Sequence, residues 1–381
     1  MFAIQMGTVA TGFAAFALTG SATVLGGMSL AQGLPMLTLS LVGGVVADRA
    51  PRRLILIATQ TMLGVPALVI AVLAFTGNLA IWQLYLFSLA QGIAFSFNMP
   101  ARQAYIAELV GPAQLRSAVT LNNTTMNFAR IAGPAVAGGL LAIPALYIGG
   151  VYSAMALMYS TVITSMFRLP ESPARLGADH AGGGWSQLVE GLRYIRRTPT
   201  LLGLLVLGFV PLFFGLPYQS LLPLFAQRVH GVGAPGLGAM SAAVGAGALA
   251  GAVAVALFSR MRRLGQLQIA LGLGFGLSLI GFGLAPTFAI AEILLVGVGL
   301  ASAGYAALNQ TLIMEHTDSQ FHGRVMSVFL LSYGMVPLAT FPEAWLADHI
   351  GGPGALVVAG AVVTISVLLV VAFVPSFRRL E

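Results

Sequence analysis

The sequence predicts an all-α membrane protein with twelve transmembrane helices in two six-helix, pseudo-symmetric halves. Three observations carry this prediction. The 381 residues are 58% hydrophobic and only 8% charged, with a mean hydropathy of +0.92. Apolar runs long enough to cross a hydrocarbon core of about 30 Å recur from end to end, and they are continuous rather than alternating, which selects helices over a β-barrel. The arginines are also sorted to one side of those runs.

Taken in order, the apolar segments are 1–18, 23–47, 54–76, 79–99, 118–141, 145–167, 200–225, 235–258, 264–285, 287–311, 325–346 and 352–375. The first is short for a span, and a truncated first helix is expected. No basic stretch precedes it, so it does not have the form of a cleavable signal peptide. Of the 18 arginines, sixteen fall in links or tails on one side, Arg228 alone falls in a link on the other, and Arg130 lies within a span. Basic residues concentrate on the cytoplasmic side, which places both termini in the cytoplasm of a multi-pass protein. The same sorting accounts for the net charge of +7 without nucleic acid as a partner.

Composition excludes several function classes. There is no cysteine, hence no disulfide, iron–sulfur cluster or thiol chemistry. There is no lysine either, so a phosphate-binding G-x-x-x-x-G-K loop cannot be built and no nucleotide site is expected. The five histidines, among them His180, His230, His316, His322 and His349, are scattered and form no metal signature. No enzyme activity, cofactor or metal is expected.

The only long connection, 168–199, divides the chain into a half at 1–167 and a half at 200–381. It opens with the Pro- and Gly-rich "RLPESPARLGADHAGGG". In "WSQLVEGLRYIRR", Trp185, Leu188, Val189, Leu192 and Ile195 follow helical spacing beside Arg193, Arg196 and Arg197. An amphipathic helix on the cytoplasmic membrane face and a solvated linker helix both fit that pattern. The halves echo each other: "ADRAPRRL" and "FSRMRRL" follow spans 2 and 8, while "QLRSAVTLNN" and "FHGRVMSVFL" open spans 5 and 11. Duplicated halves point to a transporter whose site lies near the membrane midplane.

The stretch "GVVADRAPRR", residues 44–53, resembles the loop motif G-x-x-x-D-R-x-G-R-R of the major facilitator superfamily, with Pro51 where glycine is usual. Together with "MPARQAYIAELV", "LRSAVTLNNTTMNFARIAGP", "EGLRYIRRTP" and "HGRVMSV", the chain resembles the branch that includes the bacterial enterobactin exporter and macrolide-efflux proteins. The resemblance implies a secondary transporter of the bacterial inner membrane. It would export small apolar or amphipathic molecules, probe drugs or siderophores among them, by proton antiport and alternating access, as a monomer. Uptake or facilitated diffusion on the same fold, or a truncated non-transporting protein, are the alternatives. "GPAVAGG" in span 5 is one residue longer than the G-P-x-x-G-G of the antiporter motif. A gating loop of Gly44, Asp48, Arg49, Arg52 and Arg53 is implied, meeting the start of span 11 near Gly323 and Arg324. Asp48 and these arginines also fit a plain role in setting topology.

Span 5 carries the sharpest local signal. Arg130 lies 13 residues beyond Ser117, about 20 Å deep at 1.5 Å per residue, at or past the midplane. Asn123, Asn127, Arg130 and Pro134 share one helix face, whereas Asn122 and Thr125 lie off it. An arginine at that depth faces a cavity, a carboxylate such as Glu292 or Glu343, or neighbouring helices. Glu292 and Glu343 are candidates for proton coupling or for solvation in the outer interface. Glu108 is expected to pair locally with Arg102 or Arg116. Gln32, Gln91, Tyr218, Gln219, Asn309, Gln310 and Tyr333 are candidate cavity residues, and Gly133, Pro134 and Gly138 mark a bend.

Overall fold

The computed structural model describes residues 1–170, 184–258, 264–318 and 321–373. The side chains of Asn123, Asn127 and Tyr333 and the surroundings of Gly323 lie outside that description. Among the described residues the chain is helical throughout, with no strand. The helices are α1 (Phe2–Thr19), α2 (Ala22–Arg49), α3 (Arg52–Phe75), α4 (Ile81–Leu141), α5 (Tyr147–Met166), α6 (Gly184–Arg197), α7 (Pro199–Gly215), α8 (Tyr218–Leu224), α9 (Gly233–Phe258), α10 (Leu264–Gly283), α11 (Phe288–Glu315), α12 (His322–Gly334) and α13 (Val336–Phe373). Eight segments among the described residues are each long and apolar enough to cross a membrane.

Two of these helices each hold two sequence-level spans. Gly111, with φ of 66°, breaks α4 into the fourth and fifth spans, and Gly351, with φ of 83°, breaks α13 between the eleventh and twelfth. Both adopt a left-handed backbone that glycine tolerates and a side chain disfavours. The link expected between spans 4 and 5 is therefore a pair of helical extensions meeting at one glycine. The seventh span also differs from its expected form. It runs from α7 through α8 into a π-turn at Phe225–Val229, because Pro211, Pro217 and Pro223 withhold backbone donors along it.

The chain forms two compact units: Met1–His180 with Gly231–Gly238, and Ala181–His230 with Ala239–Glu381. In the first, α2 lies along the first leg of α4 and α3 along α5. Helices in lipid gain no hydrophobic burial by touching each other, so they associate by close backbone approach over small residues. Gly43 lies directly against the Ser96 carbonyl and Gly92 against the Gln32 carbonyl, leaving no room for a Cβ at either. The second unit repeats this device: Gly247 and Gly251 of α9 abut the carbonyls of Val296 and Leu300, and Gly299 of α11 abuts that of Val244. Spans 2 and 4 thus pair as spans 8 and 10 do. Spans 3 and 6 likewise pair as spans 9 and 12 do, through α3 with α5 and α10 with the second leg of α13.

A Gly92→Val variant is expected to lower the melting temperature in detergent, since its Cβ meets backbone that cannot swing away, at a cost of about 1–3 kcal/mol. Gly44→Ala places its Cβ where nothing lies within 4 Å. It should leave stability unchanged or raise it by up to about 1 kcal/mol through better helix propensity. Equal melting temperatures for wild type and Gly92→Val would contradict the close-packing account.

Candidate functional site

Where α2 meets α3, two of the loop arginines are engaged within the first unit. Arg52 Nη1 donates to Glu108 Oε2 at 3.0 Å and to the Ala104 carbonyl at 3.4 Å, and its Nε donates to the Ala47 carbonyl at 3.3 Å. Arg53 Nη2 donates to the Phe167 carbonyl at 2.9 Å, and its guanidinium lies 5.9 Å from the Phe167 ring. Below them Ala47, Ile55, Leu56, Ala101 and Tyr105 form a small apolar cluster, with the Tyr105 hydroxyl donating to the Pro170 carbonyl at 2.8 Å. Burial pushes the Tyr105 hydroxyl above its ordinary pKa, partly opposed by the nearby Arg53. Arg52 and Arg53 thus tie α3 to the first leg of α4 and to the end of α5. Asp48 and Arg49 are exposed, and Gly44 is half-buried beside them.

Glu108 has Arg52 as a partner because the helical extension of the first leg of α4 carries it alongside the start of α3, while the side chain of Arg116, one of its two expected partners, lies outside the described residues. Arg102 turns instead to Asn122, whose Oδ1 accepts from its Nη2 at 2.7 Å. Asn122 therefore braces the two legs of α4 on either side of Gly111.

In the second unit, α6 docks against α12. Glu190 Oε2 pairs with Arg324 Nη1 at 3.1 Å, Tyr194 stacks on Phe321 with centroids 4.2 Å apart, and the Arg324 guanidinium lies 5.2 Å from the Phe321 ring. The Tyr194 hydroxyl accepts from the Asp318 amide, and Ile195 is buried with Leu201, Leu204 and Val325. The helix is neither free nor simply laid on a bilayer: one side grips α12, while Leu192, Arg193, Arg196 and Arg197 are exposed. Sequence reading missed Glu190 and Tyr194. A hydrophilic pair at i and i+4 beside an apolar stripe was their signal.

Arg130 is exposed, and no residue among those described pairs with it. Its direction follows from helical geometry at about 100° per residue. Leu121, Phe128 and Val136 are 69%, 64% and 41% exposed and lie on one side of the second leg of α4. Arg130 lies on the opposite side. Further along Arg130's own side, Gly133, Pro134, Ala137 and Gly138 are buried. A Cβ at Gly133 would lie 2.7 Å from Gln5 Cβ, and one at Gly138 would lie 2.5 Å from Gly238 Cα. The face is thus closed by neighbouring backbone beyond Arg130 and open at Arg130 itself. A mid-span arginine costs about 2.5–3.5 kcal/mol to insert, so its place is on a hydrated face away from lipid. The ion pair and the purely interhelical contact open at the sequence level are both absent among the described residues.

The other candidates separate. Asn309 is fully buried and accepts from Gln268 Nε2 at 3.1 Å, next to Tyr305, whose hydroxyl donates to the Leu207 carbonyl at 2.6 Å. Asn309 therefore belongs to a packing cluster rather than to a cavity wall, and Gln310 is exposed on the opposite flank of α11. Gln268, completely buried, was not anticipated, although it is an isolated amide in an apolar run. Gln91 is buried with Nε2 close to Gly7 of α1. Tyr218 is fully buried, Gln219 is exposed, and Gln32 and Glu292 are half-buried. Glu343 is half-buried, with Oε1 shielded and without a hydrogen-bond partner among the described residues.

Solved transporters share this architecture. A nucleoside transporter matches with a TM-score of 0.71 at 12% identity over 98% of this chain and 99% of its own. A D-xylose–proton symporter matches at 0.68 and 14%, over 99% and 98%. At such identity these matches define the fold alone. The chain belongs to the transmembrane secretion effector family, whose profile matches residues 2–379. Macrolide efflux protein A of Streptococcus pyogenes is 24% identical over 95% of this chain and 90% of its own length. The multidrug efflux pump Tap of Mycolicibacterium fortuitum is 26% identical over 95% and 90%. The enterobactin exporter EntS of Shigella flexneri is 26% identical over 75% and 67%.

Exchanging the charges in an Arg52→Glu, Glu108→Arg double variant should recover part of the stability lost in either single variant, since the ion pair is restored but the bonds of Arg52 to the Ala47 and Ala104 carbonyls are not. Each single change is expected to cost about 1–3 kcal/mol, because the charge left behind is mostly shielded from water. Strictly additive losses in a thermal-melt double-mutant cycle would show that the pair does not couple.

Proposed function

We propose that this protein exports a small apolar or amphipathic molecule across the bacterial cytoplasmic membrane in exchange for protons, working as a monomer with both termini inside. Support for an exporter comes from membership in an efflux-type family over nearly the whole chain. The observation that carries the site assignment is Arg130. It is a permanent cation in mid-span, accessible on the side of its helix away from the apolar stripe. A substrate reaching it from the cytoplasm would pass Asn127 and Asn123, which share its register.

Alternating access fits the duplicated packing of the two halves, in which each half is internally tied by glycine contacts and can move as a body. Within this scheme Asp48, exposed at the end of α2 and not consumed by the staples that hold Arg52 and Arg53, is the loop residue available to change partner during the cycle. Glu343, with a shielded and unpartnered carboxylate oxygen, and Glu292 are the carboxylates available to carry a proton.

In inverted vesicles loaded by an imposed proton gradient, a fluorescent amphipathic probe should accumulate, and a protonophore should abolish that accumulation. Glu343→Gln should remove the gradient dependence while leaving probe binding within about twofold. Asp48→Asn should slow transport at least tenfold without weakening binding. Accumulation that persists after the gradient is collapsed would rule out proton coupling.

A further inference from the structure

The charge on the transported molecule can be read from what surrounds Arg130, taking the export reading above as given. We propose that the substrate is an organic anion: an amphipathic molecule whose carboxylate, sulfonate, phosphate or phenolate group pairs with Arg130.

The first 170 residues contain two acidic side chains, Asp48 and Glu108. Neither can serve Arg130. Glu108 already bonds Arg52 at 3.0 Å. It lies three residues before the Gly111 break, whereas Arg130 lies nineteen beyond it. At 1.5 Å per residue, the two differ in depth by about 24 Å. Asp48 is the penultimate residue of α2, at the same cytoplasmic level. Among the described residues of its unit, Arg130 is therefore left without a counter-charge.

A guanidinium does not release its proton in a protein, so the missing charge cannot be relieved by titration. That property also separates Arg130 from the coupling chemistry, since a group that cannot give up a proton cannot carry one. What remains is recognition. A planar donor, exposed at its own position and closed beyond by Gly133, Pro134 and Gly138, matches a planar oxyanion in two parallel hydrogen bonds. An ammonium group would be repelled from the same place. The face closes over Gly133 against α1 and over Gly138 against the start of α9, so a bound anion would stop at Arg130 while its apolar part lies toward the cytoplasmic end.

Three dansyl compounds with one fluorophore and different charge make the test: dansylglycine as the anion, dansylamide as the neutral form and dansylcadaverine as the cation. Binding is measured by fluorescence on the purified full chain in detergent, against empty micelles. Dansylglycine should bind at least tenfold more tightly than dansylamide, and dansylcadaverine should bind least. Arg130→Gln should bring the three together, Arg130→Lys should keep the order with a smaller spread, and Arg130→Glu should invert it. The unchanged melting temperature of Arg130→Lys serves as the folding control. Equal or absent binding of the three by the wild type, a preference for the cation, or an anion preference that survives Arg130→Gln would overturn the inference. Gradient-driven export of neutral or cationic probes by the wild type, independent of Arg130, would overturn it while leaving the exporter reading intact. Anion binding without any export would do the reverse.

Discussion

A backbone amide inside hydrocarbon has no water to bond to, and the rest of this structure depends on that. Each crossing segment satisfies its own amides as a helix, so sequence turns such as the one at Gly111 lie at helix ends rather than at depth. Lipid tails are as apolar as leucine, so the helices then need another reason to hold together. Glycine supplies it by letting one backbone rest on the next. The contacts Gly43–Ser96 and Gly92–Gln32 in one unit, and Gly247–Val296 and Gly299–Val244 in the other, place the same device on corresponding spans.

The same constraint grades the charges. At the ends of the apolar runs, where water is near, arginines pair cheaply and serve as staples: Arg52 with Glu108, Arg102 with Asn122, Arg324 with Glu190. Burial lowers the pKa of Arg102, yet a guanidinium begins so high that it stays charged and its bond to Asn122 remains charge-assisted. Deep in the span, Arg130 has no such partner among the described residues. One residue type thus does two jobs, and depth and the supply of acids decide which.

The twelve segments, the sorting of arginines and the family motifs were legible because each is local or periodic: apolar run length, residue type in a link, fixed spacing. The depth of Arg130 followed from the helical rise alone. Its direction did not, since a register shared with Asn123, Asn127 and Pro134 does not say whether the face is covered. The pairing of Glu108 with Arg52 was not anticipated because a link was expected where two helical extensions run on, bringing the two together across 56 residues of sequence. Asn309 was misread for a related reason. A polar residue in a span signals a partner, and only the packing of α10 on α11 identified that partner as Gln268 rather than a cavity.

By itself, the sequence determined that the chain crosses a bilayer many times, that its arginines are sorted to one side of the apolar runs, and that one permanent charge sits within such a run. These follow from the cost of moving polar groups into hydrocarbon, which is paid residue by residue. Tertiary structure decided which arginines are staples and which, among the described residues, is left without a counter-charge. It also decided that α6 grips α12 through Glu190 and Tyr194, and that the Arg130 face is open below Gly133 and closed above it. Such facts depend on pairs of residues far apart in sequence, and only the packing of whole helices brings those pairs to contact distance.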